Sequence, residues 1–115
     1  MEEQRKSACA KGEENVEICY TPRLLEYMRK HEKHTVVVEM VEINNSDFEI
    51  SELHVRFVEG RLREQFVNKK RYRSIPAPEG ELLLPRFPLE LEPVVTFDLK
   101  KVLFVPVLTY KGIKI

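Results

Sequence analysis

Val36-Val37-Val38-Glu39-Met40-Val41-Glu42-Ile43-Asn44-Asn45-Ser46-Asp47 is the stretch on which the fold turns. β-Branched residues dominate it, and apolar side chains fall on both parities, interrupted by Glu39 and Glu42. A strand covered on both faces explains a run that is rich in valine yet does not alternate. The Asn44–Asp47 segment then signals a turn, because Asn and Asp tolerate left-handed φ and bond their own backbone. On its far side Leu53, Val55 and Phe57 alternate with Glu52, His54 and Arg56, the pattern of a half-buried strand. Phe48 and Ile50 have the opposite parity, which a bulge or bend near Ser51 would reconcile.

Upstream, Thr21-Pro22 reads as a helix start. A threonine hydroxyl caps free N–H groups, and proline suits the first helical position, where its missing N–H has no partner to lose. Leu24, Leu25, Tyr27 and Met28 supply a short apolar face, and Lys30 and Lys33 complement the negative end. Asn15 to Tyr20 suits a first strand. Residues 1–14 are polar without periodicity and read as a flexible tail, leaving 15–115 as one β-rich domain.

Downstream, residues 61–74 fit a polar loop or hairpin as well as a helix. Strand signals resume at Leu82–Leu84, at Phe87, Leu89 and Leu91, and at Val95, Phe97 and Leu99. Val102–Leu108 reads as a buried strand. Pro85, Pro88, Pro93 and Pro106 exclude a long helix here and confine strands to edges or bends. About seven short strands with regular turn signals predict an antiparallel β-sandwich or barrel with one short N-terminal helix.

From about residue 34 the arrangement resembles immunoglobulin-like accessory sandwiches in its pattern. The stretch at 36–47, the alternating strand at 52–58 and Leu-Glu-Leu-Glu-Pro-Val-Val-Thr-Phe-Asp-Leu at 89–99 carry the likeness. It implies a fold and assigns no residue a role. Trp is absent and neither Cys lies in these strands, so the antibody-type hallmarks are missing.

Composition narrows the functional classes. Hydrophobic residues make up 43% of the 115-residue chain and charged residues 33%, as in a globular protein. A formal net charge of zero gives no bulk attraction to nucleic acid or anionic lipid, so either would need a local patch. No apolar run approaches the roughly 18 residues of a membrane helix, and no membrane partner is expected. Cys9 and Cys19 could form one disulfide, but without an export signal they read as reduced thiols in a cytoplasmic protein. Of the 19 acids only Asp47 and Asp98 are aspartate, and Gln occurs only at 4 and 65. That bias matches proteins of hot environments.

Three sets of residues carry candidate chemistry. Cys19, His31 and His34 form a candidate metal set, since histidines three apart share a helix face; basic groups at a helix C-terminus are equally expected on dipole grounds. Arg61, Arg63, Lys69, Lys70, Arg71, Tyr72 and Arg73, with Arg56 and Phe66 nearby, interleave cations and aromatics as nucleic-acid binders do. The same cations beside the acids of 39–52 also suit a surface ion-pair network or self-association. No nucleophile elbow, phosphate loop or catalytic constellation is present, and no cofactor is expected. The chain therefore reads as a non-enzymatic accessory or interaction module whose partner is another protein or itself. A nucleic-acid-binding domain and a small metalloprotein are the alternatives.

Overall fold

Thr21 does cap a helix. Its Oγ1 accepts the Leu24 N–H, Pro22 opens the first turn, and α1 runs Pro22–Lys30 with Leu24, Leu25 and Met28 buried. Glu32, at a left-handed φ of 53°, turns the chain out of the helix. The computed structural model describes residues 7–13, 15–44, 49–86 and 89–115. The Asn45–Asp47 part of the expected turn, with Phe48 and Phe87, lies outside the described residues.

The strands are β1 (Ala8–Glu13), β2 (Val16–Tyr20), β3 (Thr35–Asn44), β4 (Glu49–Phe57), β5 (Arg73–Pro76), β6 (Glu81–Leu84), β7 (Glu90–Val102) and β8 (Val105–Lys114). Between β4 and β5, a short helix α2 (Gly60–Glu64) runs into a π-helical turn, Gln65–Lys69. The protein is mainly β, with one four-stranded sheet ordered β1-β2-β7-β8 and a second ordered β4-β3-β6-β5.

Each sheet is mixed, which corrects the antiparallel expectation. β2 runs parallel to β7, and β3 parallel to β6. Parallel neighbours need long crossovers. Here α1 and the whole second sheet separate β2 from β7, while β4, α2, the π turn and β5 separate β3 from β6.

The double-sided reading of β3 explains where its valines go. Val36 and Val38, with Ile75, Leu82 and Leu84, join Ile18, Tyr20, Val95, Phe97, Leu99 and Ile113 of the first sheet in one core, closed by the buried face of α1. Val37 and Leu83 point the other way and are covered by Phe66 of the π turn and by Val58. The β3–β4 ladder is continuous from Val36↔Phe57 to Asn44↔Glu49, so the bulge expected near Ser51 is absent and Ile50 sits opposite Ile43.

The polar leader is corrected over Ala8–Glu13, which form an edge strand. A tight turn with Asn15 at φ 61° folds β1 back on β2. That ladder sets Cys9 across from Cys19, and the two form a disulfide. The expectation of reduced thiols is thus overturned by strand pairing. Gly80 is required by close approach: at φ 70°, a Cβ there would lie 1.7 Å from the carbonyl oxygen of His34.

Candidate functional site

β7 outruns its neighbours. β2 ends at Tyr20, opposite Phe97, and the next backbone bond is Thr21 N–H to the Phe97 carbonyl. Beyond Asp98, among the described residues, only β8 flanks β7, and the pair continues as a two-stranded ribbon to Val102↔Val105. This is why Val102–Leu108, expected as a buried strand, is instead mostly exposed: its apolar side chains extend past the sheet that would have covered them. Leu103 is 87% exposed and Phe104 94%, with Val102, Val105 and Val107 also open to solvent.

Leu103 and Phe104 are the two turn residues, at φ 51° and 69°. Two-residue hairpin turns of this hand favour Asn-Gly, because both positions need positive φ. A side chain with a Cβ in that region costs about 1–2 kcal/mol. The tip thus combines unfavourable backbone with unburied apolar surface.

The ribbon has a firm root. Arg23 donates from Nε and Nη2 to the two oxygens of Asp98, each at 2.8 Å, and Asp98 also accepts from the Thr21 hydroxyl and the Leu99 N–H. The hydrogen bonds from Arg23, first, and then from Thr21 and Leu99 hold the Asp98 carboxyl well below the ordinary range. The start of α1 is thereby tied to the point where the ribbon leaves the sheet. Lys100 and Lys101, both exposed, lie between this root and the tip. Beside the root a cleft of about 550 Å³ has Tyr27 and Leu99 in its lining and Arg23, Lys30 and Lys101 around them.

The candidate nucleic-acid residues are largely engaged elsewhere. Arg63 donates two hydrogen bonds to Glu81, which also accepts from Thr35 and Ser74. These bonds, that from Arg63 foremost, lower the Glu81 pKa to about 2. Arg56 and Lys70 converge on Glu39 and also lie over the Phe66 ring. Phe66 is buried, Tyr72 packs edge-on against it, and the Tyr72 hydroxyl accepts the Met40 N–H. Burial pushes the Tyr72 phenol up. The Phe66 ring, which the sequence sets among these cations, thus fills the outer core. Arg61 and Lys69 border a shallow cleft with Glu64, Arg71 occupies a left-handed turn position, and Arg73 opens β5.

The candidate metal set is not assembled. Cys19 is bonded to Cys9, the His31 ring lies tilted against Tyr27, and the His34 ring lies 3.6 Å from Glu79 while its backbone N–H donates to Glu59. Among the described residues the group with metal-ligand spacing is Cys9, Glu17 and Cys19, and a disulfide withholds the thiolates such a site would use. Also among the described residues, no helix is long and apolar enough to cross a membrane.

Compared with family models, curated proteins and solved structures, the chain matches none.

Nothing in the sequence marked the tip. Val-Leu-Phe-Val contains no Gly, Asn, Asp or Pro, so a turn there leaves no compositional trace. The Lys100-Lys101 pair interrupting the alternation of Val95, Phe97 and Leu99 is the one local sign that β7 is leaving the core.

Proposed function

We propose that this chain is a non-enzymatic protein-docking module whose contact element is the β7–β8 hairpin. One observation carries the reading: Leu103 and Phe104 occupy left-handed turn positions while standing almost fully in water. A tip selected for folding would use Asn-Gly, and exposed apolar surface of this kind marks interaction sites. Large apolar anchors entering a pocket are also where binding energy concentrates.

The remainder of the molecule suits the role of a stiff base. Side chains from both sheets share one core, which supports reading them as the two layers of a β-sandwich of the immunoglobulin-like pattern. The Arg23–Asp98 fork fixes the hairpin's angle of departure.

The test places a photoreactive phenylalanine analogue at position 104 in the producing cell. Irradiation is expected to give a discrete covalent adduct with a protein, either another species or the chain itself. Irradiation that leaves the chain free of any protein adduct overturns the reading.

A further inference from the structure

We infer that the occupant of this tip's receptor site is a second copy of the chain, and that two copies join by exchanging hairpin tips. The inference rests on the docking reading above and names its partner. It starts from a second apolar feature at the other end of β8. There the edges of the two sheets meet in an open cleft of about 570 Å³, with Leu53 from β4 and Tyr110, Ile113 and Ile115 from β8 and the C-terminus in its lining. Ile113 is buried, and Ile115 is 48% exposed. Such a cleft has room for the Leu103 and Phe104 side chains.

Charge selects this cleft over the one at the hairpin root. The tip arrives with Lys100 and Lys101 behind it. The root cleft carries Lys30 and Lys101 against Glu26, its Arg23 being paired with Asp98, and would repel them. At the β4–β8 cleft, Glu52 lines the wall with its carboxylate 3.0 Å from the His54 ring, Lys114 lines it across the ladder from Glu90, and exposed Glu42 lies opposite Ser51 in the β3–β4 ladder. The basic collar of the tip thus meets an apolar floor whose surroundings carry Glu42 and Glu52 against one lysine. A net charge of zero leaves no bulk repulsion between copies.

Geometry closes the pair. Tip and cleft lie at opposite ends of one strand, roughly 26 Å apart from Val105 to Ile113 at the usual strand rise. Leu103 and Ile115 are equally far along the chain from Thr109. Two β8 strands set antiparallel about a two-fold axis near Thr109 therefore bring each tip to the other's cleft. Lys111 then faces Val107 and not another lysine. The contact is isologous and satisfies both copies at once, which ends assembly at the dimer.

Sedimentation equilibrium of the full chain tests this. The wild type is expected to be a concentration-dependent dimer. Phe104→Asp and, separately, Ile115→Asp should raise the dissociation constant about tenfold or more, with circular dichroism and melting confirming the fold. Charge reversal gives a sharper test. K100E/K101E alone and E42K/E52K alone should each be monomeric, while their equimolar mixture dimerises, because one tip–cleft contact is restored and the other is wild type. A monomeric wild type throughout the concentration range overturns the inference, as does a dimer indifferent to Phe104→Asp. So does a monomer that co-sediments with anionic vesicles through residue 104. A monomeric wild type whose residue 104 cross-links to a different protein defeats the dimer and leaves the docking reading standing. Absence of any adduct defeats both.

Discussion

Arg63 holds Glu81 with two guanidinium nitrogens, and the same carboxylate accepts hydroxyl bonds from Thr35 and Ser74. One side chain thereby links α2, β3, β5 and β6. It pins the helical excursion over Val37 and Leu83, which would otherwise face water on the outside of the second sheet.

This network gives stability a definite acid dependence. The folded Glu81 pKa of about 2 lies below the ordinary 4.5, so the carboxylate's contribution is complete above about pH 4.5. It falls away as pH drops through about 2. Glu81→Gln should cost about 2 kcal/mol at neutral pH, the range of charge-assisted hydrogen bonds. The difference from wild type should shrink steadily between pH 4.5 and 2. Urea unfolding at a series of pH values measures it; a difference that stays constant across that interval would contradict the assignment.

Tyr20 presents the opposite situation. Its ring is fully buried and meets Phe97 edge-to-face at 5.7 Å, yet among the described residues its hydroxyl has no hydrogen-bond partner. Burial, and secondarily the nearby Glu79, keeps the phenol protonated far beyond its usual range. A buried polar group left unpaired costs about 1–3 kcal/mol. Tyr20→Phe keeps the ring contact and removes the orphan oxygen, so the thermal midpoint should rise. A lower midpoint would show that the hydroxyl is satisfied after all.

How much of this was legible depends on whether the deciding contact is local. The Thr21 cap, the Pro22 start and the two-sided burial of β3 follow from neighbouring residues, and the sequence pattern anticipates each. The parallel pairings β2/β7 and β3/β6 join segments separated by whole structural units, and periodicity carries no information about them. The basic segment shows the same limit: its composition was visible, but Phe66 turning inward depends on the π turn and on Val37 and Leu83 beneath it. The hairpin tip differs from the expected buried strand for a related reason. Valine, leucine and phenylalanine look the same in a buried strand and on an exposed ribbon, and what separates them here is that β2 stops at Tyr20.

The disulfide follows from strand pairing, about which composition and the lack of an export signal say nothing. Once Asn15 is recognised as a turn residue, Cys9 and Cys19 fall opposite each other on β1 and β2. Purified protein kept from reductant should be lighter than the dithiol by two hydrogens and should not react with thiol reagents until unfolded and reduced. Cys9→Ala with Cys19→Ala should lower stability by about 2–3 kcal/mol, as expected for a bridge closing a short loop. Hydrogen exchange should accelerate first in β1, whose ladder bonds among the described residues go to β2 alone. Two readily titrated thiols in the native protein would remove the bridge from the structure.

The tip offers a test that sets folding against docking. Replacing Leu103 with Asn and Phe104 with Gly installs the pair that a turn with two positive φ angles prefers. Backbone strain of about 1–2 kcal/mol at each position should be relieved in part. Glycine also loosens the unfolded chain, which offsets some of the gain. The net expectation is a higher thermal midpoint, with far-ultraviolet dichroism unchanged. The same variant should lose association, because the exposed apolar anchors are gone while the ribbon beneath them is intact. Were Leu103 and Phe104 present for the fold, the substitution would lower the midpoint and leave association untouched. A gain in stability paired with a loss of binding is the signature of residues kept at a folding cost for what they contact.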